Sequence, residues 1–275
     1  MTSRDDAPRL LVEHVIVDDT SAARVAVIRL NRPDKLNAID WETVRELDGV
    51  LDAVEADPSV RCVLLTGVGR AFSAGGDLER YLTLQQDPVA FPQFVEDLHT
   101  TFGRLRQISV PAIALVNGVA VAGGLELLLN CDFAIAARSA RIGDGHLNFG
   151  QMGGGGSLTL LPRAIGRERA AELIFTGRLL DADDAAAWGL VNRVVDDDAL
   201  EAMGLELARE IAEKSPLGLA NAKEVLQTVW AENGPEPDGL RYERERNDDY
   251  CLTSEDAREG LQAFAEKRPP RFTGR

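Results

Sequence analysis

Val116–Asp132 reads VNGVAVAGGLELLLNCD, a run of small and apolar residues that carries one basic-free charge cluster of only Glu126 and Asp132. Pro111–Gly118 has the look of a buried strand, and Gly124–Asp132 that of a short helix. From Val110 to Asn130 the stretch is long enough to suggest a membrane span. Pro111, Asn117, three glycines and Glu126 argue against one, because a carboxylate at the bilayer centre is costly. A strand, a turn and a helix are expected instead, with no membrane contact.

Within that run the order of residues suggests chemistry. Ala122-Gly123-Gly124 opens the helix. Small residues let a ligand reach main-chain N–H groups, and a helix N-terminus adds a positive dipole end. Glu126 follows Gly123 by three residues, within one turn, amid apolar neighbours and with no cation nearby in sequence. Burial there would raise its pKa and suit it to proton transfer. A second small-residue loop, Ala74-Gly75-Gly76, follows the strand Arg61–Gly67. If both loops met at one carbonyl they would form an oxyanion hole for an enolate. Tight turns packed on their neighbours are the simpler alternative for each loop alone.

Around these loops the chain of 275 residues reads as a mixed α/β core with a helical tail. Strands are expected at Leu10–Val17, Arg24–Leu30, Phe133–Ile142 and Leu190–Val195, with a helix capped by Asp40 and another over Pro92–Ile108. Beyond Asp198 only helices are expected, near 198–214, 216–232, 239–250 and 254–267. The division is therefore 1–197 for the core and 198–275 for the tail. Fifteen of the 25 glycines fall between Gly67 and Gly156, which suggests backbone used as an active surface.

Composition narrows the class. With 45 acidic against 30 basic residues the net charge is −15, which disfavours nucleic acid and anionic lipid as partners. The 45% apolar content supports a real core. Cys62, Cys131 and Cys251 make no paired motif, and MTSRDDAPRL is too polar for a signal peptide, so a cytoplasmic protein is expected. His14, His99 and His146 lack ligand spacing, and no metal is expected. Gly67-x-Gly69 begins like a dinucleotide fingerprint, but Phe72 holds the third glycine's place. No GxxxxGK or GxSxG sequence occurs.

LNRPDKLNAID, GRAFSAGGDL, VNGVAVAGGLELLLNCD, LLPRAIG and SEDAREGLQAFAEKRPPRF, in this order, resemble the enoyl-CoA hydratase/isomerase, or crotonase, superfamily over nearly the whole chain. The resemblance implies an α/β crotonase-like (ClpP/crotonase) spiral of strand–strand–helix units. Its C-terminal helices would assemble a homotrimer or homohexamer. It implies an acyl-CoA thioester as substrate, with coenzyme A part of that substrate and no separate cofactor. Ala74 and Gly123 would supply the oxyanion-hole amides, and Gly76, Asp77 and Leu78 would line the coenzyme A site. Lys35, Phe264 and Lys267 would contact the coenzyme. The last ten residues, EKRPPRFTGR, add a small basic island to an acidic protein.

Glu126 falls on the first of the two glutamates that, in hydratases of this superfamily, add water across the 2,3 double bond. The second glutamate's place is taken by His146. Three readings follow. His146 acts as the acid–base partner, with Asp144 orienting it from i−2 along an extended segment; Asp144 itself takes the role; or the role is lost and the chemistry differs. The first gives an enoyl-CoA hydratase-like lyase of fatty acid metabolism. The diverted alternatives are C–C bond hydrolysis of a diketone, isomerisation, decarboxylation, thioester hydrolysis or, without catalysis, an oligomeric binding protein.

Overall fold

The computed structural model describes residues 7–18, 22–232 and 253–275. β1 (Leu10–Asp18) and β2 (Ala23–Leu30) pair antiparallel at one edge of a six-stranded sheet. The sheet continues in parallel through β3 (Val60–Gly67), β5 (Ala112–Val116), β7 (Phe133–Ala137) and β10 (Arg193–Val195). A second sheet lines up β4 (Ala71–Ser73), β6 (Val119–Val121) and β8 (Arg141–Gly143) in parallel, with β9 (Leu180–Asp181) antiparallel at its edge. Thus β3 leads to β4, β5 to β6 and β7 to β8. Each turn of the chain adds one strand to each sheet before helices carry it onward, which is the expected spiral.

Parallel strands covered on both faces read as continuous apolar runs, and all five residues of β5 are buried. On one face, α1 (Trp41–Ala56) and α3 (Ala90–Gln107) bring Leu47, Leu51, Phe94 and Phe102 into one core with Ile28 and Leu65. Asp40 caps α1 as its position predicts, its Oδ1 accepting the Thr43 N–H at 2.9 Å. On the other face, Leu200, Leu207 and Ala208 of α8 (Leu200–Ala212) cover Val27, Leu64 and Ile113. The sheet core therefore runs past residue 197, because α8 supplies the cover its second face needs.

Two further helices of the tail are described, α9 (Pro216–Glu232) and α10 (Glu255–Glu266). Buried Lys223 fastens α9 to the core: its Nζ donates to the carbonyls of Leu105 and Val110 and pairs with Asp132 at 2.7 Å. The helix expected over 239–250 lies outside the described residues. Residues 110–130 form β5, β6 and α4 (Gly123–Leu129), and no helix among the described residues is long and apolar enough to cross a membrane. The remaining helices are α2 (Leu78–Leu84), α5 (Ser157–Ile165), α6 (Arg167–Thr176) and α7 (Ala182–Trp188).

Candidate active site

Every residue of α4 is buried, and Glu126 is only 2% exposed. The start of α4 meets the loop after β4. The Gly76 nitrogen lies 3.6 Å from the position a Cβ on Gly123 would occupy. Ile39 braces that loop, its N–H donating to the Gly75 carbonyl at 2.8 Å and its carbonyl accepting the Asp77 N–H at 2.9 Å. Between these bonds the Gly76 amide has no partner among the described residues, and neither has the Gly123 amide. Both residues line a cavity of about 230 Å³ that also reaches Glu126 and His146.

Ala74 departs from expectation. It lines the same cavity, but its N–H donates to the Leu36 carbonyl at 2.9 Å. An amide already bonded within the fold is not free for a ligand. The free amides that the geometry brings together are those of Gly76 and Gly123.

The Glu126 carboxylate has partners that its sequence neighbours do not reveal. Oε1 accepts from the amides of Gly155 and Ser157, at 2.9 and 3.2 Å, where α5 begins. The glycine run ahead of α5 makes room for it: a Cβ on Gly153 would lie 2.5 Å from Oε1 and 3.2 Å from His146 Cε1. Burial pushes the Glu126 carboxyl above the usual carboxylate range; the His146 charge and the two amides oppose the shift without cancelling it.

His146 opens the 3₁₀ turn His146–Phe149 after β8. Its Nε2 lies 3.9 Å from Glu126 Oε2, and its Nδ1 lies 3.1 Å from each oxygen of buried Asp144. Asp144 Oδ1 also accepts the His146 backbone N–H at 3.1 Å. The two side chains meet across a tight turn, with Gly145 at φ +121°, rather than along the extended segment expected. Burial alone would lower the His146 pKa, but the bond to Asp144 and the nearby carboxylate charges outweigh it and raise the pKa. For Asp144, burial works upward and is outweighed by the contacts with His146, so the carboxyl titrates below its usual range. His146 lines the cavity and Asp144 does not.

The wall opposite is apolar and aromatic. Tyr81 of α2 stacks edge-on against Phe91 and Phe94 of α3, and Val95 and Leu98 continue the surface. Leu78 also lines the cavity. Neither the aromatic wall nor Arg32 stands out in the sequence, because Tyr81 and Phe91 lie ahead of the helix expected over Pro92–Ile108 and Arg32 falls at the end of a strand. Arg32 pairs with Asp77 at 2.7 Å and lies 3.4 Å from Asp40, which pairs with Arg9 at 3.1 Å. Asp77 also caps α2, accepting the Arg80 N–H at 3.3 Å. Its carboxylate is therefore engaged within the protein.

The expected coenzyme contacts are only partly assembled. Lys35 is exposed and pairs with Glu79. Lys267 is exposed and does not line the cavity. The side chain of Phe264 lies outside the described residues. Within the basic C-terminal island, Arg268 is paired with both Glu259 and Glu266 at 2.6 Å.

Known proteins share this arrangement of chain. The enoyl-CoA hydratase/isomerase family matches residues 20–275. The chain is 37% identical over 252 residues to a Mycobacterium bovis protein named "Probable enoyl-CoA hydratase", covering 92% of this chain and 95% of that one. It is also 37% identical over 256 residues to the 1,2-epoxyphenylacetyl-CoA isomerase of Escherichia coli, covering 91% and 95%. Among solved structures, an enoyl-CoA hydratase from Bacillus anthracis superposes with a TM-score of 0.90 at 35% identity, over 97% of this chain and 100% of that one. A match of this extent, on a spiral that carries paired loop amides beside Glu126, places the chain in the enoyl-CoA hydratase/isomerase family of the crotonase superfamily.

Proposed function

We propose that this enzyme binds an acyl-CoA thioester and adds water to its 2,3 double bond. The observation that carries this reading is the 3.9 Å approach of Glu126 Oε2 and His146 Nε2 at a cavity with two free amides. The thioester oxygen accepts hydrogen bonds from Gly76 and Gly123. Glu126, ionised, takes a proton from a water held between it and His146 while the hydroxyl attacks C3. The π electrons move onto the thioester as an enolate, which the two amides and the dipole of α4 stabilise. Protonated His146 then delivers the Nε2 proton to C2, and Asp144 keeps the ring oriented through Nδ1–H. Proton transfer from Glu126 back to His146 restores both groups.

Loss of the conjugated enoyl absorbance of crotonyl-CoA tests the reading, with mass spectrometry showing one added oxygen from labelled water. No turnover of any 2-enoyl-CoA by purified protein would overturn it. A second reading rests on the same geometry: the Glu126–His146 pair relays a proton between two carbons and isomerises the double bond. Product retaining the substrate's mass would decide for it. As for assembly, a homotrimer or homohexamer remains the expectation that the family resemblance gives, to be measured by analytical ultracentrifugation.

A further inference from the structure

Four polar side chains line the cavity: Glu126, His146, Gln151 and Tyr81. The first two are the proposed reacting pair. Gln151 accepts a hydrogen bond from the Gln85 side-chain amide. Tyr81 is different, because its hydroxyl has no hydrogen-bond partner among the described residues. The ring is held from two sides, its centroid 6.1 Å from that of Phe91 and 5.5 Å from that of Phe94, both edge-on. The hydroxyl lies 2.7 Å from where a Cβ on Gly76 would stand, so it flanks the loop that carries a free amide. Burial, reinforced by the negative charges of Glu126 and Asp77, holds the phenol protonated as a donor.

We infer that Tyr81 is a specificity determinant whose hydroxyl donates a hydrogen bond to an oxygen on the acyl group, so that the site favours acyl-CoA esters bearing a hydroxyl, ether or oxo group over plain alkyl esters. The inference rests on the proposed acyl-CoA reading of the site. Its physical basis is an asymmetry. Water can satisfy the hydroxyl while the cavity is open, but an alkyl chain that displaces this water leaves the donor unpaired in apolar surroundings. A site with a held donor discriminates against ligands lacking the acceptor more strongly than an apolar wall discriminates between chain lengths. Phe91, Phe94, Val95 and Leu98 supply the apolar contact for the rest of the group.

Calorimetric dissociation constants test this with saturated esters that cannot be hydrated. Hexanoyl-CoA is compared with its 4-, 5- and 6-hydroxy derivatives, and phenylacetyl-CoA with its ring-hydroxylated derivatives, on wild type and Tyr81→Phe. At least one oxygenated ester is expected to bind wild type about tenfold more tightly than its parent, and Tyr81→Phe is expected to abolish that ratio, with the parent binding the variant at least as tightly as wild type because no donor is then left unpaired. Ratios near one for every pair in wild type would overturn the inference, and this arm needs no variant to fold. So would a ratio that survives in Tyr81→Phe, or an equal loss for plain and oxygenated esters, which would assign the hydroxyl to the thioester that all share. Wild type binding no CoA ester at all would instead defeat the acyl-CoA reading beneath it.

Discussion

His146 Nε2 and Glu126 Oε2 stand 3.9 Å apart at the cavity wall, beyond hydrogen-bond reach of each other but close enough to hold one water between them. Each is fixed from behind by groups that do not line the cavity: Glu126 Oε1 by the amides of Gly155 and Ser157 at the start of α5, His146 Nδ1 by Asp144. Glu126→Gln keeps an oxygen for those amides and removes the base. It should fold normally and lower kcat by about 10²–10⁴-fold with little change in KM. Steady-state rates with crotonyl-CoA, beside a melting curve, check this; an undiminished kcat would remove Glu126 from the chemistry.

The pH profile depends on Asp144. Activity needs Glu126 ionised and His146 protonated, so the acid limb follows the carboxyl and the alkaline limb follows the imidazole. Both groups titrate above their ordinary values. Asp144→Asn removes a bond that raises the His146 pKa, and the charge of Asp144 also raises that of Glu126. Both limbs should move to lower pH, the alkaline limb further, and the profile should narrow. The pH dependence of kcat/KM measures it. A stationary alkaline limb would mean that His146 is not the group whose deprotonation ends activity.

What the sequence shows of this site follows from where each signal is local. Asp40 and the apolar stripe after it define α1, and the continuous apolar runs of β3 and β5 mark buried parallel strands. Glu126 is visible because a lone carboxylate in GGLELLL is anomalous. The strands β4, β6 and β8 are three residues each, too short to show a period of two. Which amide of the AGGD loop is free cannot be read locally either, since Leu36 occupies the Ala74 N–H and Ile39 brackets Gly76 from a distant stretch of chain. Tyr81 becomes notable only once α3 packs its phenylalanines against it.

Gly76 and Tyr81 should be energetically coupled. A Cβ on Gly76 would stand 2.7 Å from the Tyr81 hydroxyl oxygen and 2.8 Å from Cζ, so Gly76→Ala must displace a ring held by Phe91 and Phe94. Gly76→Ala is expected to lower kcat/KM about tenfold, and Tyr81→Leu, which clears the space, to recover part of that loss in the double variant. The coupling in a double-mutant cycle should be about 1 kcal/mol. Strictly additive effects would show that the ring does not constrain the loop.

Arg32 should matter to stability more than its distance from the reacting carbons suggests. Its guanidinium joins Asp77 and Asp40, and all three side chains are nearly buried, Arg32 at 9% and Asp77 at 5% exposure. It also donates to the Ala38 carbonyl at 2.6 Å, one residue before the Ile39 brace on Gly76. Arg32→Met leaves the Asp77 carboxylate buried without its cation, while Asp40 retains Arg9. Removing one partner of a buried ion pair costs about 3–5 kcal/mol, far more than an exposed pair. Urea unfolding at neutral pH should show a loss of that order. Adding Asp77→Asn should restore part of it, because the penalty lies in the stranded charge and not in the missing side-chain volume. If the double variant is no more stable than Arg32→Met, the loss arises from packing and from the bond to Ala38.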